Sequence, residues 1–313
     1  MKKTFLITAG ALLFLILGVL LTLYFNIKPT GAKDEIIESS GDIGKFSVSL
    51  AQKGVIRSPL IFRLMWRGEE GPKEGYYTVS GASLRSIVAT VKGGPNVTKV
   101  TFPEGFSLAQ IAQRLGNRGW ESEEIYKAGE GKEGKLFPDT YFFKNSASAE
   151  EVISILTNNF EARTKNIAPS EQDIIIASIV EREAKNDEER LKIATVYKNR
   201  LKVGMKLESD PTVQYARDKK LINDSELTNI EVWQPLSPGE TKRVISPFNT
   251  YLNGGLPPSP ICNPGLKSIE AAKGEEVGFE YLFFFHDKDR VIRFSKNYNE
   301  HRQLILEYGV SGS

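Results

Sequence analysis

The chain has 313 residues, enough for two domains or one large one with a full core. Its 41 Lys and Arg nearly cancel its 39 Asp and Glu, and no basic cluster with interleaved aromatics occurs, which excludes nucleic acid as a partner. One cysteine, Cys262, and two histidines, His286 and His301, exclude a disulfide framework, a cysteine-based metal site and a multi-histidine centre. No metal or cofactor is expected, and carboxylates, hydroxyls and amides must carry any chemistry.

Lys2 and Lys3 precede an apolar run from Phe5 to Ile27. At ~1.5 Å per residue it reaches about 34 Å, enough to span a hydrocarbon core. The run exceeds the apolar part of a cleaved leader, and Thr30-Gly31-Ala32 is a poor cleavage site, so the expectation is an uncleaved single-pass anchor in the cytoplasmic (inner) membrane. Lys2, Lys3 and the amino terminus favour a cytoplasmic N-terminus with the remainder on the extracytoplasmic side; Lys28 and Lys33 keep that asymmetry modest. Residues 28–43 are polar, with Pro, Gly and Ser, and read as a tether.

Two short amphipathic helical patterns follow, SVSLAQKGVI and SPLIFRLMWRG. The segment GEEGPKEG (68–75) breaks them before a strand at Tyr76 to Val79. Ser83 then caps a helix from Leu84 to Val91, ended by Gly93-Gly94-Pro95, and Val97 to Phe102 reads as a second strand. After the turn Pro103-Glu104-Gly105, Ser107 opens the helix LAQIAQRLGNRG. This strand, turn and helix resembles half of a LysM-type glycan-binding module; a generic α+β unit is the other reading.

Beyond the loop GEGKEGK (129–135), Ala149 to Asn166 forms an amphipathic helix. The next stretch, from Ser170 to Tyr215, organises the rest. Ser170 is a good N-cap with Asp173 in the capping-box position, and Ile174, Ile175, Ile176, Ala177, Ile179 and Val180 are too apolar for a surface helix. Glu181 continues that face. Apolar burial would remove its water, favour the neutral form and suit it to general acid catalysis. Glu183 follows Ile176 and Ile179 in the same manner, so periodicity does not choose between the two. The plainer reading is a helix leaving the core, with Glu181 paired to Lys185 one turn on.

A second helix carries Leu191, Ile193, Ala194, Val196, Tyr197 and Leu201 and stops at Gly204. In the turn Glu208-Ser209-Asp210-Pro211-Thr212, Asp210 reads as an N-cap with Pro211 at the first helical position; holding substrate is its sharper alternative. Residues 223–265 are a long Pro/Gly/Asn-rich irregular stretch whose Tyr and Asn side chains suit sugar rings and N-acetyl groups. Tyr281 to Phe285 and Arg290 to Ser295 flank His286-Asp287-Lys288-Asp289 as a hairpin, and a last helix runs from Tyr298 to Tyr308. His301 on that helix reads as a packing residue, and Cys262 as a small buried side chain.

The motifs ASIVERE (177–183), NRL (199–201), ESDPTVQY (208–215), SPFNTY (246–251), GLPPSPICNPG (255–265) and FSKNYNEH (294–301), with FPEG (102–105) and LFPDTY (136–141) upstream, together resemble the MltG-type (YceG-like) family of endolytic murein transglycosylases. The match runs nearly end to end. It implies a lyase that cuts the β-1,4 bond between N-acetylmuramic acid and N-acetylglucosamine in peptidoglycan and leaves a 1,6-anhydromuramyl end, terminating or trimming nascent glycan strands. It implies Glu181 as the catalytic acid/base, with Asp210, Tyr215, Asn249 and Tyr251 as substrate-binding candidates. Members of the family often carry a histidine two residues before the FS of the last hairpin; here Ile292 stands there, which puts an essential role for that histidine in doubt.

The expected architecture is α+β: an anchor and tether (1–30), a small LysM-like α+β domain (31–120), and a mainly helical catalytic domain with a β-hairpin (121–313). Expected partners are peptidoglycan glycan strands and the membrane. Two alternatives stand beside the lyase: a non-catalytic glycan-binding scaffold that recruits cell-wall synthases, and a two-carboxylate peptidoglycan hydrolase with Asp210 as the second acid.

Overall fold

The computed structural model describes residues 2–67, 70–224, 227 and 230–309. Gly68 and Glu69 of the expected chain break, and 225, 226, 228 and 229 of the long irregular stretch, lie outside the described residues. The chain divides into two compact units, residues 1–100 with 141–147, and residues 101–140 with 148–313. Mixed helix and sheet is what the patterning predicts.

The first unit starts with α1 (Lys2–Ile27). Its apolar stretch Ile7–Ile27 is long and apolar enough to cross a membrane, and none of it is buried. Arg57 closes the end of this helix by donating to the carbonyls of Phe25, Lys28 and Pro29 at 3.1, 2.7 and 2.9 Å, where the helix dipole favours a cation.

There follow β1 (Glu35–Ser39), α2 (Ile43–Gln52), α3 (Pro59–Trp66), β2 (Gly75–Val79), α4 (Leu84–Lys92), β3 (Val97–Thr101) and, from a later return of the chain, a strand at Thr140–Lys144. These strands form one sheet in that order, with β1 antiparallel to β2, and β2 antiparallel to β3. Strand β1 is a correction to the tether. Within Glu35-Ile36-Ile37-Glu38-Ser39 the chain alternates, Ile37 and Ser39 are buried, and Ile37 pairs with Tyr77. A polar average hid a period-two strand. Phe46, Leu50, Phe62, Trp66, Tyr77, Leu84 and Ile87 fill the core of this unit.

The second unit holds α5 (Leu108–Gly116), α6 (Ser122–Gly129), α7 (Ala149–Thr164), α8 (Glu171–Glu183), α9 (Asp187–Lys202), α10 (Asp210–Asp224), the short α11 (Glu240–Arg243) and α12 (Leu266–Lys273). The strand at Thr140–Lys144 is β4; the hairpin β5 (Phe283–His286) and β6 (Ile292–Ser295) pairs Phe283 with Ser295 and His286 with Ile292; and α13 (Tyr298–Tyr308) follows. Helix α8 is the axis. Every residue from Ile174 to Val180 is buried, packed with Ile193 and Tyr197 of α9 and Ile269 and Ala272 of α12. Each such isoleucine contributes roughly 1.5–3 kcal/mol by leaving water. Its start is fixed as the sequence predicts: Ser170 N–H donates to Asp173 Oδ2 at 2.8 Å, and Asp173 N–H to Ser170 Oγ at 3.2 Å. The NRL segment of α9 ties down the hairpin, since Asn199 Nδ2 donates to Phe279 O at 2.6 Å and Arg200 Nε to Leu282 O at 2.6 Å.

Candidate active site

Glu181 sits in the last turn of α8, with its side chain only 6% exposed. Its position at the edge of the isoleucine run is as expected; its surroundings are not. Instead of an apolar pocket or Lys185, it meets a cation from α9. Arg190 Nη1 lies 3.1 Å from Glu181 Oε1, and Gly265 N–H donates to Glu181 Oε2 at 3.0 Å. Gly265 is the N-cap of α12, so the carboxylate also faces the positive end of a helix. The physical reason for the difference lies in the fold: α9 turns back at Asn186 and brings Arg190 across the end of α8, which α8's own periodicity cannot reveal.

Arg190 serves more than one acid. Its Nε is 3.0 Å from Asp187 Oδ1, its Nη2 is 3.9 Å from Glu104 Oε2, and its Nη1 donates to Ser268 Oγ at 2.5 Å. Burial opposes charge on Arg190, but Glu181, Asp187 and Glu104 outweigh it and raise its pKa. Three carboxyls share one guanidinium, so a proton taken up by the cluster relieves repulsion. Glu104 registers this: burial first, then the charge of Glu181, raises its pKa above the usual carboxylate value. A Cβ at Gly265 would meet the Glu104 carboxylate, so a larger residue there would push that side chain out of its present position.

Glu183, the other candidate on α8, turns inward. It accepts from Ser209 Oγ at 2.8 Å and Tyr197 Oη at 3.0 Å, and burial raises its pKa. That joins α8, α9 and the start of α10. Asp210 opens α10, is exposed, and accepts from Tyr251 Oη at 2.7 Å. Burial, then this bond, raises the pKa of Tyr251. Asn249 is fully buried; its Nδ2 donates to Thr241 O and Val244 O at 2.9 and 2.8 Å, and its Oδ1 accepts from Tyr251 N–H at 2.9 Å. That amide is committed to shaping its own loop. The structure thus joins Asp210 to Tyr251 and Asn249 to the Tyr251 backbone, while Tyr215 belongs with a different acid.

That acid is Glu133, in the loop before LFPDTY, which sequence reasoning passed over. Leu108 N–H donates to both its oxygens at 3.0 and 3.1 Å, Asn263 Nδ2 to Oε1 at 2.7 Å, and Tyr215 Oη to Oε2 at 3.4 Å. Burial outweighs these donors and pushes its pKa up to about 7. Asn263 and Gly265, which hold Glu133 and Glu181, are neighbours across Pro264. Buried Cys262 feels both carboxyls, and burial, then their charges, holds its thiol well above the usual value. In sequence terms, a glutamate in the glycine-rich loop Gly131-Lys132-Glu133-Gly134 was the available signal, but loop composition alone gives no partner.

Comparison with known proteins follows the same lines. The model of the YceG-like family matches residues 36–307. A Bacillus subtilis protein named endolytic murein transglycosylase is 29% identical over 318 residues, covering 87% of this chain and 83% of the relative. A Streptococcus pneumoniae protein of the same name is 25% identical over 325 residues; 87% of this chain is aligned, and the match spans 57% of that longer relative. A solved YceG-like protein of Listeria monocytogenes superposes with a TM-score of 0.56 at 28% identity, covering 87% of this chain and 99% of that one.

Proposed function

The chain belongs to the YceG-like family, and from that premise we propose that it is an endolytic murein transglycosylase, a lyase cutting the N-acetylmuramyl–β-1,4–N-acetylglucosaminyl bond of peptidoglycan and leaving a 1,6-anhydromuramyl end. The observation that carries the reading is Glu181: nearly enclosed, at the end of a rigid buried helix, and held by Arg190 and Gly265 N–H in one orientation.

The chemistry needs one proton cycled through one carboxyl. Glu181, in the protonated state of its cluster, gives its proton to the glycosidic oxygen as the C1–O4 bond breaks. The muramyl C6 hydroxyl then forms the C1–O6 bond and returns its proton to the Glu181 carboxylate. No water is consumed, which separates this course from two-carboxylate hydrolysis. Arg190 and Gly265 N–H receive the carboxylate formed in the first step, and Glu104 and Asp187 keep the cluster rich enough in negative charge to take the proton back. Helix α1 fits a membrane anchor with the rest of the chain outside the cytoplasm, and residues 31–120 fit a LysM-like glycan-binding part.

The test is digestion of purified sacculi by the full-length chain in detergent, with masses taken of the released strands. Anhydro ends that disappear in Glu181→Gln support the proposal. Reducing ends one water heavier assign a hydrolase instead, and glycan binding without new ends assigns a scaffold.

A further inference from the structure

A cavity of about 220 Å³ in the second unit does not include Glu181 and is lined by Tyr126, Glu133, Tyr215, Lys219, Ser259 and Pro260, among others. That is below the ~300–1,000 Å³ of pockets for drug-sized ligands, and suits a single sugar ring. A much smaller space of about 10 Å³ shares Tyr126, Glu133, Tyr215 and Lys219 and adds Ser107 and Trp233. Ser107 is 4% exposed, and its Oγ is a buried side-chain oxygen without a hydrogen-bond partner among the described residues. It stands over the Gln110 N–H in a capping-box arrangement without forming a full hydrogen bond, which leaves it free to bond to a group entering this space. A space of that volume accepts about one water-sized group, such as a carbonyl oxygen.

We propose that this paired cavity seats one N-acetylated sugar of the glycan strand, with Tyr126 and Tyr215 against the ring, Ser107 toward the acetamido oxygen, and Glu133 and Lys219 as its polar and charged contacts. The proposal rests on the reading of the chain as a glycan-cutting enzyme. Gly134 supports the geometry: it has a φ of +86°, and a Cβ there would strike Pro260, so the loop that delivers Glu133 is pressed close against the cavity wall.

Glu133 gives the seat a pH dependence. The groups facing it are Tyr126 from α6, Tyr215 and Lys219 from α10, and the loop thiol of Cys262, with Glu130 and Glu171 on the same cavity wall. With its pKa pushed up to about 7 by burial, Glu133 is protonated on the acid side and donates to a sugar oxygen; above about pH 7 it is an acceptor only. Affinity therefore falls as pH rises.

The experiment uses the full-length chain in detergent carrying Glu181→Gln, so the probe is not consumed. The probe is a tetrasaccharide of alternating N-acetylglucosamine and N-acetylmuramic acid, titrated calorimetrically at pH 5.5 and 8.5. Expected is binding up to roughly tenfold tighter at pH 5.5. Adding Glu133→Gln should make the Kd the same at both pH values, and adding Lys219→Met should weaken binding severalfold and move the fall in affinity to higher pH, because the Lys219 charge lowers the Glu133 pKa. Circular dichroism and melting temperature identify variants that stay folded; should Glu133→Gln not fold, Ser107→Ala and Lys219→Met carry the test. Identical Kd values in the folded variants and their parent, or no binding by the parent, overturn the seat. Wild-type cutting of sacculi with no effect of Glu133→Gln on Kd removes the seat and leaves the enzyme; binding that titrates with Glu133 in a chain that cuts nothing does the reverse.

Discussion

Glu181 and Glu133 are gripped by the two ends of the same short loop, Asn263-Pro264-Gly265, yet their other partners differ. Glu181 meets a guanidinium and a helix N-terminus; Glu133 meets an amide, a phenol and a backbone N–H. Glu133 carries the signature expected from the sequence for Glu181, a carboxyl lifted toward neutrality by burial. Apolar surroundings alone do not set a carboxyl's proton affinity. The partners each carboxyl meets are settled by elements distant in sequence.

The sharpest break in the comparison is Glu181→Gln. An amide keeps the shape and the Gly265 bond but cannot cycle a proton, so strand cutting should fall by roughly 10³-fold or more, read as anhydro ends per minute. Glu133→Gln, tested beside it, should retain most of the cutting rate at saturating glycan. Equal losses in the two variants would mean that both carboxyls take part in the chemistry.

Next in size is Arg190→Gln. Removing one partner of a buried pair costs about 3–5 kcal/mol, because Glu181 and Glu104 lose their cation. For a unit of this size that lowers the melting temperature by roughly 10 °C. The deficit should shrink in acid, where carboxyls left without a counter-charge take up protons. A melting temperature unchanged at pH 8 would show that Arg190 does not hold the cluster together.

Glu133 has the opposite linkage to an ordinary ion-paired acid. Its folded pKa of about 7 lies above the usual 4.5 of a glutamate, so the stability it confers is complete below about pH 4.5 and is lost as pH rises through about 7. The full shift corresponds to at most about 3 kcal/mol. Denaturant unfolding of wild type and Glu133→Gln between pH 4.5 and 8 should show wild type losing stability relative to the variant across that window. Parallel curves would remove the elevated pKa.

Much of the frame was legible in the chain. Ser170, Asp173 and the isoleucines announce α8 through local rules, and the hairpin around Asp287 and the helix Tyr298–Tyr308 follow from turn chemistry and periodicity. Strand β1 was hidden because five residues on a sheet edge, with Ile36 and Glu38 facing out and Glu35 half-buried, average to a polar linker. The surroundings of the candidate site were less legible. Arg190, Glu104 and Gly265 come from three separate segments, and each residue's own neighbours explain it adequately. Asn249 and Tyr251 looked like sugar ligands because of their type; only tertiary structure reveals that the Asn249 amide is already bonded to Thr241 and Val244.

The smallest predicted effect separates helix stability from site chemistry. Ser170→Ala removes the side-chain cap of α8 and its bonds with Asp173, at a cost of about 1 kcal/mol and a fall in melting temperature of roughly 2–4 °C. Glu181 lies at the other end of α8, fixed independently by Arg190 and Gly265, so cutting per folded molecule should stay the same. If cutting drops along with the melting temperature, the position of Glu181 depends on the whole helix, and the grip of α9 and α12 on its last turn is weaker than these contacts imply.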